Sequence, residues 1–305
     1  MARWMIFAGL LLACSCNLGK ADDGRPGLEK LKGLRDKTGG KLDIEKLREK
    51  LKQFKDKKGN AAADAGLKRM TWKVGDVERE ALVYLPEKTS QQPPVVFAFH
   101  GHFGKMELSA RQFAFHQLWP EAVCVYPQGL PTPVPKIDVA GKGAGWQKSI
   151  GDQADRDLAF FDAILKSLKT DHQIDDKRVY VAGHSNGGFF SYVLLAARGE
   201  QLAAIAPVAG GLNLKDLKLI KPKPVLHVAG EKDFIVPFEM QQKSMEFIRK
   251  VNGCDANGKP AGEMCTEYPS KTGTPLVALI HPGSHNVPRE APKRIVEFFK
   301  QYKAQ

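Results

Sequence analysis

The chain has 305 residues, of which 43% are hydrophobic and 26% charged, enough for one sizeable core but too few for two full domains. The formal net charge is +12, which at first suggests a nucleic-acid partner. Residues 21–70 alone hold 15 Lys and Arg against 9 Asp and Glu, so half of the excess lies there. No basic stripe interleaved with aromatic residues follows, and we expect no nucleic-acid partner.

The first residues have the pattern of an export signal, predicted over residues 1–21. Arg3 supplies a basic start, and the apolar run Met5–Leu12 is too short to span a bilayer. The residues before Cys14 resemble a bacterial lipoprotein box, and cleavage after Ala21 is the alternative. A retained N-terminal anchor is a third. We expect an exported protein that is extracellular, periplasmic or lipid-anchored at the cell envelope through its N-terminus.

Two segments follow the signal. Residues 22–70 are rich in charged residues and glycine, which predicts a linker or stalk. Residues 71–305 alternate short apolar runs with segments of helical periodicity, which predicts one α/β domain with a mostly parallel sheet. The predicted strands are Ala81–Leu85, Val95–His100, Ala122–Tyr126, Arg178–Ala182, Ala203–Val208, Val225–Ala229 and Leu276–His281. The predicted helices are Glu107–Gln117, Ala154–Leu168, Gly188–Ala197, Phe238–Val251 and Ala291–Tyr302.

A strand, a glycine-rich turn and a helix meet around Ser185. The turn reads Gly-His-Ser-Asn-Gly-Gly over residues 183–188. A Gly-x-Ser-x-Gly string is weak evidence alone, but between a strand and a helix it indicates a nucleophile elbow, in which glycines permit a sharp bend that exposes the serine. An ordinary glycine-rich connection is the alternative. We predict that Ser185 is a catalytic nucleophile.

A serine nucleophile needs a histidine base and an acid to orient that base. Asp233 follows the predicted strand Val225–Ala229, and Glu231 is the nearest substitute for it. His285 lies in a Gly-Ser loop after the last predicted strand, whereas His281 sits at the strand end, where a structural role is more typical. The order Ser, Asp, His is the one that α/β-hydrolases use. We predict Asp233 and His285 as the remaining catalytic residues.

The negative charge that develops on a substrate carbonyl oxygen needs backbone donors. We predict the amide of Asn186, directly after the serine, and the amide of His102, in the turn after strand Val95–His100. The side chains of His100 and His102 are expected to brace this turn. No further cluster of Cys, His or carboxylate residues at metal-ligand spacing joins them, so we predict neither metal nor cofactor.

Residues from about Val74 to Tyr302 resemble the poly(3-hydroxybutyrate) depolymerase and feruloyl esterase-like group of α/β-hydrolases, related to carbohydrate esterase family 1. The motifs that carry the resemblance are His100-Gly101, Tyr126-Pro127-Gln128, Trp146 with Asp157 and Phe160-Phe161, the run Ile174–Val181, Asp233 with Val236-Pro237, Asn252-Gly253-Cys254 and the His285 loop. The resemblance implies an α/β-hydrolase fold with helices on both faces of the sheet and the triad Ser185, Asp233 and His285.

The resemblance also bears on the cysteines and on the residues expected near the substrate pocket. Cys254 and Cys265 lie close together in sequence, and the family's disulfide maps onto them, whereas Cys124 lies in an apolar strand and reads as a buried residue. His102 stands where family members often have Cys, and Asn286 and Val287 stand where they often have Trp. Trp146 is a candidate for stacking on an aromatic acyl group or a sugar, with core packing as the alternative.

Three functions compete. The first is an exported serine esterase that acts on small-molecule or oligomeric esters: hydroxyalkanoate oligomers, feruloyl esters or acetyl esters. The second is a serine peptidase of the same fold. The third is a non-catalytic envelope protein that binds polymer. The sequence does not predict the oligomeric state.

Overall fold

The computed structural model describes residues 66–87 and 92–304. The predicted export signal and nearly all of the predicted linker therefore lie outside the described residues. Within the described part, no helix is both long and apolar enough to cross a bilayer.

Within the described residues, ten strands form one sheet, in the order β1-β2-β4-β3-β7-β8-β9-β12-β11-β10. Their bounds are β1 Leu67–Val74, β2 Val77–Tyr84, β3 Val95–Phe99, β4 Val123–Pro127, β7 Val179–His184, β8 Ala204–Val208, β9 Val225–Gly230, β10 Lys259–Pro260, β11 Cys265–Tyr268 and β12 Leu276–His281. The two remaining strands, β5 Leu130–Pro131 and β6 Ala144–Gly145, pair with each other. The six central strands from β4 to β12 run parallel, and antiparallel strands flank them at both edges.

Helices cover both faces of the sheet. The α-helices are α1 Met106–Phe113, α2 Phe115–Leu118, α3 Arg156–His172, α4 Asn186–Arg198, α5 Phe238–Val251 and α6 Ala291–Phe299. Short 3-10 turns occupy Asp152–Asp155, Gly199–Gln201 and Leu217–Leu219. Side chains of α3, α4 and α5 belong to one core and those of α1, α2 and α6 to the other.

Strand β3 shows why the sheet needs both layers. Its residues are all buried, and because side chains alternate along a strand, Phe97 and Phe99 enter the first core while Val96 and Ala98 enter the second. A run of apolar residues without polar alternation is the pattern of a strand buried on both faces.

The predicted mostly parallel sheet with helices on both faces is confirmed, and each predicted strand occurs. One predicted helix was wrong in its extent. The predicted helix Glu107–Gln117 is interrupted at Ala114, whose φ of 43° lies in the left-handed region. The predicted domain boundary at residue 71 falls inside β1, an edge strand whose exposed positions carry charged residues that resemble a linker.

The predicted disulfide between Cys254 and Cys265 is also wrong, since both are free thiols. Cys265 begins β11 and belongs to the core containing α1 and α6, whereas Cys254 packs against the core on the other face of the sheet. Cys254 instead forms an isolated antiparallel β-bridge with Ser270. Ser270 lies five positions beyond Cys265, or roughly 16 Å along an extended chain. A disulfide needs Cα atoms within about 7 Å.

We therefore expect Cys254→Ser to change the free energy of unfolding by less than about 1 kcal/mol, because the half-buried thiol makes only a weak contact with the Thr274 carbonyl oxygen at 3.8 Å. Loss of a native disulfide would cost about 2–5 kcal/mol. Urea unfolding of both proteins, with and without reductant, measures the difference. A loss in that range, matched by reductant on the unsubstituted protein, would contradict the free-thiol assignment.

Candidate active site

The site lies where parallel strands end. Because parallel strands have their carboxyl ends at one edge of the sheet, the loops that follow β3, β7, β9 and β12 are neighbours there. These loops carry all the residues that the sequence predicts for the nucleophile, the base, the acid and the oxyanion donors.

Ser185 occupies a sharp bend between β7 and α4, with φ 55° and ψ −117°. A Cβ on Gly183 would lie 2.2 Å from the Gly187 carbonyl oxygen, and a Cβ on Gly187 would lie 2.3 Å from that of Phe99. Both glycines are required because no side chain fits between these backbones. The Ser185 amide donates to the Val208 carbonyl at 2.8 Å, which ties the bend to β8.

The structure brings Ser185, His285 and Asp233 into one hydrogen-bonded chain. His285 Nε2 lies 2.8 Å from Ser185 Oγ, and its Nδ1 lies 2.8 Å from Asp233 Oδ2. The Asp233 side chain is fully buried. When Nδ1 carries the proton and donates a hydrogen bond to the Asp233 carboxylate, Nε2 has no proton and can accept the hydrogen bond from the serine hydroxyl. This is the tautomer that proton transfer from serine requires.

The Asp233 carboxylate is held by three further donors. Its Oδ1 accepts from the amides of Ile235 and Val236 at 3.0 and 2.9 Å, and its Oδ2 accepts from Gln241 Nε2 at 3.0 Å. Glu231, the alternative acid, is exposed, and Asp233 is the carboxylate that contacts His285.

Backbone hydrogen bonds join the acid loop to the histidine loop. The Glu231 amide donates to the His281 carbonyl at 2.9 Å, and the Lys232 amide donates to the Gly283 carbonyl at 3.0 Å. The loops that carry Asp233 and His285 are therefore positioned together.

The turn after β3 lies directly against the serine. A Cβ on Gly101 would be 3.3 Å from Ser185 Cβ. The His102 amide has no acceptor within the part of the chain that the structure describes, and the Asn186 amide is the first of α4, where a helix offers none. Both predicted oxyanion donors thus have an unused N–H beside the nucleophile.

The side chains of His100 and His102 brace this turn, as expected. The Gly129 amide donates to His100 Nε2 at 2.9 Å, so Nδ1 donates to the Gly101 carbonyl at 2.7 Å. His102 Nε2 lies 3.1 Å from Asp138 Oδ2, an oxygen that also accepts from a backbone amide.

Trp146 matches the alternative of core packing, since no face of its ring is exposed for the predicted contact with a substrate. The ring is fully buried, packs parallel to Phe190, and donates from Nε1 to the His100 carbonyl at 2.9 Å. Its backbone is clamped by the Asn186 side chain, which accepts from the Trp146 amide at 2.6 Å and donates to its carbonyl at 3.0 Å. The rings of Phe99, His100 and Phe190 pack around the indole, so it is part of the core.

Buried imidazoles near the site favour the neutral form. Desolvation lowers the pKa of His100, His184 and His227 to about 4 in each case. The His184 ring lies beside the His285 ring with centroids 5.0 Å apart. At neutral pH these groups add no positive charge beside the base.

Sequence reasoning missed Gln241, His227 and Tyr192, which continue the hydrogen bonds behind Asp233. The signal was present. Gln241 lies on the buried stripe of α5, and His227 interrupts an otherwise apolar strand. A polar residue at a buried position needs a partner, and here the partners lead to the acid. Nowhere in residues 66–87 and 92–304 do three or more His, Cys, Asp or Glu residues converge as metal ligands would.

Comparison with known proteins agrees with this geometry. The family model of dienelactone hydrolases matches residues 80–254, more than half of the chain, so the protein belongs to the dienelactone hydrolase family. A bifunctional acetylxylan esterase/xylanase of Neocallimastix patriciarum is 26% identical over 63% of this chain and 26% of its own length. Feruloyl esterase C of Emericella nidulans is 28% identical over 48% of this chain and 54% of its own length. The chain thus spans about half or less of these relatives.

Solved structures confirm the α/β-hydrolase fold. A thermostable esterase superposes with a TM-score of 0.59 at 16% identity, covering 79% of this chain and 64% of that one. An acetyl xylan esterase from Aspergillus awamori gives 0.56 at 13% identity, covering 77% and 98%. At such low identity the likeness concerns the fold alone.

We expect Gly187→Ala to destabilise the protein by about 3 kcal/mol, because the added Cβ meets backbone oxygens of Phe99 and His100 at 2.3 and 2.7 Å. The matched control is Gly199→Ala, where the nearest atom is 3.7 Å away and φ is −52°. That change should be neutral or slightly stabilising. Chemical denaturation measures both, and equal effects would contradict the close approach at the elbow.

Proposed function

We propose that the protein is an exported serine esterase that hydrolyses carboxylic esters through an acyl-enzyme on Ser185. The observation that carries the proposal is the hydrogen-bonded chain from Ser185 through His285 to Asp233. Each of the two His285 ring nitrogens lies 2.8 Å from its partner oxygen. Family membership and the esterase relatives support the same chemistry. The signal-like pattern of residues 1–21 supports export.

In the acylation step, Ser185 Oγ attacks the ester carbonyl carbon while His285 Nε2 takes the hydroxyl proton. The amides of His102 and Asn186 donate to the oxygen that becomes negative. His285 then returns the proton to the departing alcohol. Water repeats the sequence on the acyl-enzyme and releases the acid.

Exposed apolar side chains beside this constellation favour acyl groups with an apolar or aromatic part. Phe103, next to His102, is 61% exposed, and Phe234, next to Asp233, is 79% exposed. We propose feruloyl and similar aromatic esters as the preferred substrates, with acetyl and hydroxyalkanoate esters also accepted.

Ser185→Ala should lower kcat for 4-nitrophenyl acetate by roughly 10⁴-fold or more, because it removes the nucleophile but leaves the fold intact. The matched control is Ser167→Ala, which removes a hydroxyl on α3 that is bonded to Trp72. Spectrophotometric turnover of the three proteins decides the matter. Retained turnover in Ser185→Ala would rule out the acyl-enzyme.

The same preparations separate the competing functions. A fluorophosphonate probe should label the unsubstituted protein and not Ser185→Ala. Cleavage of short peptides in preference to esters would favour a peptidase, and failure of folded protein to react with the probe would favour a non-catalytic binding protein.

A panel of acetyl, butyryl, 3-hydroxybutyryl and feruloyl esters tests the substrate class. We expect Phe103→Ala to lower kcat/KM for the feruloyl ester roughly tenfold and for the acetyl ester less than threefold, since an exposed ring can stack on an aromatic acyl group. The control is Leu118→Ala, an exposed apolar residue at the end of α2. Equal losses on both esters would contradict a role for Phe103 in aromatic recognition.

A further inference from the structure

A line of buried polar side chains continues from Asp233 into the core. Gln241 Nε2 lies 3.0 Å from Asp233 Oδ2, Gln241 Oε1 lies 3.3 Å from His227 Nε2, and His227 Nδ1 lies 2.7 Å from the Tyr192 hydroxyl. Gln241 and His227 are 0% exposed and Tyr192 is 2% exposed. The chain of contacts that begins at Ser185 therefore extends through six side chains.

The hydrogen bonds of this line have one direction. Gln241 Nε2 also donates to the Val236 carbonyl at 2.8 Å, so both amide protons are used and its Oε1 is the acceptor. His227 must then donate from Nε2 to Gln241 Oε1. Its Nδ1 has no proton and accepts the hydrogen bond from the Tyr192 hydroxyl. Burial keeps His227 neutral, with its pKa near 4. From Tyr192 through His227 and Gln241, each residue thus donates one hydrogen bond in the direction of the Asp233 carboxylate.

We infer that Tyr192, His227 and Gln241 are positioning residues for Asp233, a relay of donors that fixes the carboxylate facing His285. The inference rests on the proposed function. Hydrogen bonds that point the same way polarise one another, which strengthens the last bond onto the carboxylate. They also fix the direction in which Oδ2 accepts the hydrogen bond from His285 Nδ1–H.

The relay connects the two halves of the site. Tyr192 lies on α4, the helix that starts directly after Ser185, His227 lies on β9, and Gln241 lies on α5. The helix of the nucleophile and the loop of the acid are therefore joined through the core, independently of His285.

Stability alone does not account for three polar side chains at these positions. Buried hydrogen-bonded groups contribute little net stability compared with apolar groups of similar shape. Their common end point is the acid, which favours a role in positioning it. The two roles make different predictions, because a positioning residue affects kcat and its pH dependence whereas a packing residue affects stability.

The test compares kcat, KM and the pH profile of kcat/KM for 4-nitrophenyl acetate in Gln241→Met, His227→Leu, His227→Gln and Tyr192→Phe, each in the full chain. Gln241→Met should lower kcat roughly tenfold to hundredfold with KM within about twofold, as expected for loss of one hydrogen bond to a charged group. His227→Leu should lower kcat in the same direction. His227→Gln, which keeps a donor for Gln241, should recover most of that loss.

The acid limb of the profile should move to higher pH in Gln241→Met. With one donor fewer, the negative charge of the carboxylate is less compensated, so its attraction for a positive charge on the His285 ring is stronger. Among the described residues, His184 and His281 interact electrostatically with Asp233, and Glu231 and Glu290 interact with His281; none of these four is changed in the variants. The direction of the shift therefore reports on Asp233.

The matched control is Ser244→Ala on the same buried face of α5, whose hydroxyl bonds to Leu212 and Met240 outside the relay. It should leave kcat and the pH profile unchanged. Tyr192→Phe keeps the ring and removes only the hydroxyl, so it remains informative if Gln241→Met fails to fold. It should lower kcat roughly threefold, with an acid-limb shift in the same direction.

Two failures can be told apart. If the unsubstituted protein neither hydrolyses esters nor reacts with a fluorophosphonate, the proposed function is wrong. If it is active but the variants lose only thermal stability, with kcat and pH profile unchanged, the relay is wrong and the three residues only pack.

Discussion

Ser185 adopts φ 55° and ψ −117°, a conformation that costs an L-residue about 1–3 kcal/mol, and the rest of the fold must hold it there. The restraints come from three strands. The Ser185 amide binds β8, Gly187 rests on the end of β3, and Gly183 faces Gly187 across the bend. Because β3, β7 and β8 are adjacent parallel strands deep in the sheet, the strain is opposed by the most buried part of the molecule.

The turn after β3 is fixed by the same geometry. A side chain at Gly101 would approach both His184 and Ser185, so the turn packs closely enough to present its amides to a substrate oxygen. The His100 ring donates to the Gly101 carbonyl and accepts from the Gly129 amide, which fixes the turn. The His102 ring contacts the Asp138 carboxylate. The buried Trp146 ring packs against the same turn and donates to the His100 carbonyl, so this aromatic residue near the site supports the turn from within the core.

The sequence was sufficient for the sheet, the elbow and the three residues that meet there, because each has a local pattern: apolar runs, glycines around a serine, and polar residues after strand ends. It was not sufficient for features that depend on which face of the sheet a residue meets. Cys254 and Cys265 are near in sequence but belong to opposite cores, and no local pattern distinguishes that from a bridge. Edge strand β1 was missed because its exposed positions include charged residues, as does the sequence of the predicted linker before it.

The buried histidines around the site and His285 have different roles. His100, His184 and His227 have pKa values near 4, so at neutral pH each is a fixed donor and acceptor and none competes for the serine proton. His285, in contrast, bonds to a buried carboxylate that accepts four hydrogen bonds in all. These donors compensate the buried carboxylate without water entering the core, and its negative charge can stabilise an imidazolium as it forms. The neutral histidines and the aspartate thus act together, since the charge that arises on His285 during proton transfer meets one buried carboxylate, and the imidazoles of His100, His184 and His227 add no second positive charge.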